Sequence, residues 1–144
     1  MSIRLLAAAF AVATALFAFN VAEVSAHGDV TPQPVDTTGL DPLGEEWRKH
    51  NPYRENAKAI EIGTSGYNQN CARCHGLEAI SGGLAPDLRL LDKGDAGDEW
   101  FMERIRHGAK KPDGTTMMPG FDGLISQEAM WAIRTYLESK YTPQ

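Results

Sequence analysis

Both cysteines of this chain stand in one run of five residues, Cys71-Ala72-Arg73-Cys74-His75. The C-x-x-C-H spacing is that of a covalent c-type haem attachment site. On a helical turn, residues 71, 74 and 75 share one face, because positions three and four apart are neighbours. Two thiols placed this way can add to the two vinyl groups of a haem. The imidazole beside the second thiol then reaches the iron from the same side, while Ala72 and Arg73 point elsewhere. Two other uses of C-x-x-C compete. A zinc site of the usual kind needs two further ligands at short spacing, and no second Cys or His pair exists here. A thioredoxin-like pair wants a βαβ surround, whereas these flanks read as helix and loop.

The N-terminus supplies the compartment. Arg4 gives a positive start, Leu5 to Phe19 is apolar except for Thr14, and Val24-Ser25-Ala26 is a small-residue end. Residues 1–26 therefore read as a secretory signal peptide, cleaved after Ala26 to leave His27 first. No Cys lies near that point, which excludes a lipid anchor there. An uncleaved membrane anchor competes with this reading, but the run is short for a spanning helix. Either way the functional domain is exported, and the expected location is periplasmic.

The formal charge is −5, and losing Arg4 and Glu23 together leaves it unchanged. A mildly acidic chain is a poor candidate for nucleic acid or an anionic membrane surface. The length is that of one domain. With both cysteines committed to haem no disulfide remains, and the covalent cofactor takes the place of that staple.

Residues 27–55 read as an arm, because Pro32, Pro34, Pro42 and Pro52 alternate with Gly28, Gly39 and Gly44. Glu45 to His50 is expected to form one helical turn. Trp47 and Tyr53 are expected to pin the arm to the core. The remaining residues, 56–144, form the main domain. A helix is expected from about Asn56, with Ala59, Gly63, Tyr67 and Cys71 on one stripe. Gly63 costs about 1 kcal/mol relative to Ala inside a helix, which calls for close approach by another helix. Asp98 is expected to cap a middle helix that runs to His107 and stops at Gly108. Its inner stripe would be Trp100, Phe101, Arg104 and Ile105. Lys110 to Gly123 reads as a loop. A last helix, Gln127 to Lys140, is capped by Ser126 and apolar at Ala129, Met130, Ile133, Tyr136 and Leu137. Strand signals are nearly absent, so the class is all-α.

A haem histidine needs an acceptor for its other ring N–H. The Pro86 carbonyl, in the Gly82 to Leu88 loop, is the candidate. Iron held by His75 alone could bind small ligands, whereas iron held by His and Met is an electron-transfer centre of raised potential. Met117 and Met118 are adjacent in a polar, Gly/Pro-rich loop, an odd place for core filler. Met118 is preferred because Pro119 stiffens the chain beside its sulfur. Met117 and His107 remain alternatives, although a cation at a helix C-terminus explains His107 equally well.

These motifs resemble class I cytochromes c. Gly63-x3-Tyr67-x3-Cys71 looks like their first helix, and Cys71 to His75 like their haem site. Pro86 and Met118-Pro119 match their haem-histidine acceptor and distal loop. Ala132-Ile133-Arg134-Thr135-Tyr136-Leu137 looks like their last helix. The resemblance implies three main helices around one covalent haem c, with an extended N-terminal arm. It also implies that the first and last helices cross, with Gly63 facing Tyr136. A narrower likeness lies in Gly39 to Trp47, Asn51 to Arg54, Gly66 to Asn70 and Ser81 to Gly83. These resemble the PedF-type cytochromes c that serve PQQ-dependent (quinoprotein) ethanol dehydrogenases.

The expected function follows from this resemblance. It is a monohaem one-electron carrier, not an enzyme, with haem held by Cys71, Cys74, His75 and Met118. The donor would be a quinoprotein alcohol dehydrogenase, of ethanol or methanol type, and the acceptor a downstream oxidase or cytochrome. The protein would not be membrane-embedded once the signal is removed. A ligand-binding haem protein with an open sixth position competes, whether gas sensor or peroxidase-like. So does a fixed haem subunit of a dehydrogenase complex.

Overall fold

Asn56 starts the first helix of the computed structural model, which describes residues 31–143. The signal peptide expected over 1–26, its cleavage point and His27 lie outside the described residues. The Asn56 side-chain oxygen accepts from the N–H groups of Lys58 and Ala59, so two of the free donors of α1 (Ala57–Asn70) are satisfied. Ala59, Ile62, Gly63, Gly66, Tyr67 and Asn70 are buried along one face. At the other end of the chain, Ser126 Oγ accepts from the Ala129 N–H and starts α4 (Gln127–Ser139). Nearly every residue of α4 from Gln127 to Leu137 is buried, which means it is covered on all sides.

The two helices cross at Gly63. A Cβ there would run into the carbonyl oxygen of Ala132. The helix propensity lost at Gly63 is thus offset by backbone-to-backbone contact. The partner differs from expectation. Gly63 meets Ala132, not Tyr136, because a contact this close leaves no room for a ring on the facing residue. Tyr136 lies one turn further along and packs on Tyr67, with ring centres 5.1 Å apart and planes tilted by 44°.

Asp98 does not cap the middle helix. That helix, α3 (Gly94–His107), begins four residues earlier, and Asp98 is fully buried within it. Its carboxylate accepts from Arg134 Nε at 2.8 Å, Arg54 Nη2 at 2.5 Å and the Asn51 N–H at 2.8 Å. Arg134, also fully buried, reaches Glu138 at 3.2 Å. A helix-start acid is ordinarily spent on backbone donors. Here it neutralises a buried guanidinium, which would be costly without it. The inner stripe shifts accordingly to Gly97, Asp98, Phe101, Met102 and Ile105, while Trp100 is 44% exposed. As expected, α3 stops at Gly108, whose φ of 73° lies in the region that favours glycine.

The loop after α3 contains a small sheet that the sequence did not signal. Strand β1 (Ala109–Lys110) pairs antiparallel with β2 (Thr116–Met118). Ala109 faces Met118 and Lys110 faces Thr116, so Met117 is the extra residue of a bulge. Among the described residues the other regular elements are helical. A one-turn helix, α2 (Ala72–His75), follows α1, with short 3₁₀ turns at Leu77–Ala79 and Leu88–Leu90.

The arm is extended from residue 31, and the helical turn expected at Glu45 to His50 does not form. Polar contacts lash it to α4: the Leu43 N–H to Glu128 at 2.8 Å, the Arg48 N–H to Gln127 at 2.6 Å and Asn51 Nδ2 to Thr135 at 3.0 Å. Tyr53 is buried, with its hydroxyl on the Asp41 carbonyl. Trp47 is half-buried under the Arg106 guanidinium, 4.0 Å from the ring centre.

The crossing makes a stability prediction. Gly63→Ala should cost about 1–3 kcal/mol through overpacking against fixed backbone. Gly66→Ala should cost less, because its new Cβ would meet only the side chains of Ile133 and Val35. Urea unfolding midpoints of the two variants measure the difference, and equal midpoints would contradict this account of the crossing.

Candidate functional site

Helix α1 hands the chain directly into the attachment run. Cys71 N–H still donates to the Tyr67 carbonyl at 2.8 Å. The Cys71 carbonyl then accepts from both Cys74 and His75, at 3.1 and 3.0 Å. The run is therefore one helical turn, and the two sulfurs and the imidazole are brought onto one wall. His75 is 8% exposed. Gly76 closes the turn in the left-handed region (φ 82°), and its carbonyl takes the Tyr67 hydroxyl at 2.7 Å. The core of the helix crossing is in this way tied to the residue after His75.

The Pro86 loop comes back over the same wall. His75 Nδ1 lies 2.9 Å from the Pro86 carbonyl oxygen. A carbonyl only accepts, so this contact places the ring proton on Nδ1 and leaves the Nε2 lone pair free for a metal. The loop is held by its own hydrogen bonds. Ser81 Oγ donates to the Ala85 carbonyl at 2.5 Å, and the Ser81 N–H donates to Asp87 at 3.3 Å. Asp87 is also gripped by Arg89, with Nη2 at 2.7 Å and Nε at 3.0 Å. That grip, the largest cause, pulls the Asp87 carboxyl down to about 2.

These residues border a cavity of about 480 Å³, within the size range of small-molecule and cofactor sites. Cys71, Cys74 and His75 form one wall, and Met117 and Met118 line it as well, from β2. Phe101, Ile105, Phe121, Ile133 and Leu137 make the remainder largely apolar. Met118 is half-buried and packs against the core, whereas Met117 is 66% exposed. His107 does not line the cavity; it is half exposed, 3.7 Å from Glu103. His50 is also remote, paired with Asp95 at 3.0 Å.

The donor set fits a haem: two thiols for covalent attachment, a nitrogen ligand backed by a carbonyl, and thioether sulfur within the same apolar cavity. It does not fit a redox dithiol. Burial, with Cys74 adding to it, pushes the Cys71 thiol up to about 12, whereas reactive cysteines are tuned downward. Cys71 as a whole is only partly covered, so it is the packing around its sulfur that has this effect. Among the lining residues that the sequence reading did not assign to the site are Trp100 and Arg104, which it placed on a packing stripe. A cation one turn after an aromatic, on an otherwise apolar face, was the available signal.

The family model described as cytochrome C oxidase, cbb3-type, subunit III matches residues 58–137. The chain is 63% identical over 123 residues to "Cytochrome c550" of Pseudomonas aeruginosa, covering 83% of this chain and 84% of that protein. It is 41% identical over 81 residues to "Quinohemoprotein alcohol dehydrogenase ADH IIB" of Pseudomonas putida, a match to 56% of this chain but 11% of that protein. It is 31% identical over 93 residues to "Cbb3-type cytochrome c oxidase subunit FixP" of Rhizobium meliloti, covering 56% of this chain and 30% of that one.

The Asp87 clamp predicts an acid response. A carboxylate lowered in the folded state stabilises that state above its ordinary value of about 3.9, and the contribution fades as pH falls toward the lowered value. The stability gap between the native chain and Asp87→Asn should thus be constant above about pH 5 and close as pH falls through about 2. Denaturant titrations at stepped pH measure it. A gap that persists unchanged at the acid end counts against the clamp.

Proposed function

The chain belongs to the class I c-type cytochromes, in the family of the cbb3-type subunit III cytochrome domain, and on that premise we propose a periplasmic monohaem carrier serving a quinoprotein alcohol dehydrogenase. It is a haem c electron-transfer protein, not an enzyme. The observation that carries the reading is the apolar cavity with the attachment run on one wall and Met118 lining it from β2.

The residues divide the work. Cys71 and Cys74 carry the two thioether links, and with two cysteines in the chain there is one attachment site. His75, its ring fixed by Pro86, would offer Nε2 to the iron, and Met118 would offer its thioether sulfur. A haem held by these residues would supply one-electron redox chemistry. A His and a Met together would raise the reduction potential of a haem held there and leave it no open position for small ligands. The apolar walls exclude water, which limits the reorganisation that each electron transfer requires.

One observation supports the donor, and a second the small carrier. The chain is similar to a segment of a quinohemoprotein alcohol dehydrogenase, and that protein's name pairs a quinone with a haem. The chain is also 63% identical to the cytochrome c550 relative and covers 84% of it, and the carrier reading rests on that likeness. The electron then passes to a terminal oxidase or another cytochrome.

Two measurements test this. Holoprotein mixed with a quinoprotein alcohol dehydrogenase and ethanol should be reduced, as read from its visible spectrum. Reduction by dithionite but not by that pair would remove the donor. Met118→Ala should keep its covalent haem and, once reduced, bind carbon monoxide that the native protein excludes. If Met118→Ala leaves the spectrum unchanged, Met118 is not the ligand, and Met117→Ala becomes the variant to measure.

A further inference from the structure

Met117 and Met118 are successive residues of β2, and in a regular strand their side chains would point to opposite faces. Both line the same cavity instead. The bulge accounts for this. Met117 is left without a partner between the Ala109–Met118 and Lys110–Thr116 pairs, and a bulge re-aims the side chain it carries. A second thioether is thereby brought to the cavity beside the one proposed for the iron.

The two sulfurs stand in different surroundings. Met118 is half-buried against the core, whereas Met117 is 66% exposed. Met102 and Met130 are buried, so Met117 is the one exposed methionine among the described residues. The residues that both line the cavity and are exposed form its mouth. They are Leu84, Pro86, Trp100, Met117 and Pro119, with Thr116, and no charge is among them. An uncharged, mostly apolar mouth is suited to contact with another apolar surface. Oxidation of a methionine turns a flexible apolar side chain into a polar one, and it selects sulfur that solvent can reach.

We infer that Met117 is the oxidation site of this protein: peroxides convert it to the sulfoxide, and the new polar group slows electron exchange across the cavity mouth while the iron keeps its ligands. This rests on the proposed haem site with Met118 as the sulfur ligand. The sulfur lone pair attacks one peroxide oxygen. The S–O bond forms as the O–O bond breaks, and the second oxygen leaves as water with the proton of the first. Sulfur loses the two electrons that the peroxide gains. Met118 is spared because it is half-buried and its lone pair is given to the iron. A sulfoxide oxygen at the mouth must shed its water before an apolar partner can cover it, which weakens the encounter. Methionine sulfoxide reductases reverse the change.

Ferric holoprotein treated with graded hydrogen peroxide, alongside Met117→Leu, tests this. Peptide masses locate each added oxygen. The far-red absorption band of thioether-bound ferric iron reports the ligand. The electron self-exchange rate between ferric and ferrous copies reports the mouth without a second protein. In the native chain Met117 should gain one oxygen before Met102, Met118 or Met130, the band should persist, and self-exchange should fall several-fold. The two sulfoxide reductases, one for each epimer, should restore the rate with a dithiol as reductant. Met117→Leu should keep its rate at the same dose. Oxygen that arrives first at another methionine overturns the inference, as does a band lost in step with Met117 conversion. So does an unchanged self-exchange rate when Met117 is fully converted. Native protein that lacks the band before any treatment contradicts Met118 ligation instead, and the masses and the rate still decide on Met117.

Discussion

The close crossing of α1 and α4 at Gly63 and Ala132 is the contact on which the site depends. Backbone touching backbone fixes the separation of the two helices more tightly than interdigitated side chains could. Tyr67 carries that constraint onward. Its ring packs on Tyr136 of α4, and its hydroxyl holds the Gly76 carbonyl. The attachment run between Tyr67 and Gly76 is therefore suspended between two anchored points. The position of His75 is inherited from a packing decision made three helical turns earlier.

A second constraint is electrostatic, and it binds the arm into the same framework. Asp98, Arg134, Arg54 and Glu138 join α3, α4 and the arm in one buried-to-surface cluster. Such clusters are seldom a net source of stability compared with apolar packing, but they penalise misalignment heavily. A shift of α3 along α4 would strand a charge. The cavity wall supplied by Phe101 and Ile105 is thereby kept in register with the wall supplied by Ile133 and Leu137.

How far the site was legible depended on whether its signal was local. The attachment run is local: a spacing of three and four on one turn states its own geometry, as does the Ser126 cap of α4. The glycine at 63 announced a close approach but not its partner, because the facing residue is set by the crossing angle of two distant segments. Asp98 was misread because a carboxylate near a helix start has an ordinary local use. Its buried partner Arg134 stands 36 residues away. The β1–β2 pairing escaped notice because strands of two and three residues have no periodicity to detect. Trp100 and Arg104 were recognised as facing inward, but inward from a helix can mean core or cavity.

The hairpin that carries Met118 has a further consequence. The His75 side of the cavity is continuous with the helix crossing, so exposing it means breaking the core. The Met118 side is a short strand pair with a bulge and little apolar surface of its own. It is joined to the end of α3 through the Phe121 N–H on Ile105, at 2.9 Å, and the Asp122 N–H on Arg106, at 3.3 Å. The free energy needed to open a segment locally follows the contacts it alone would lose. The two sides of the cavity are therefore guarded by barriers of unequal height. Excursions that expose it while the protein stays folded will begin at the hairpin that carries Met117 and Met118, and the His75 wall will open only with the fold.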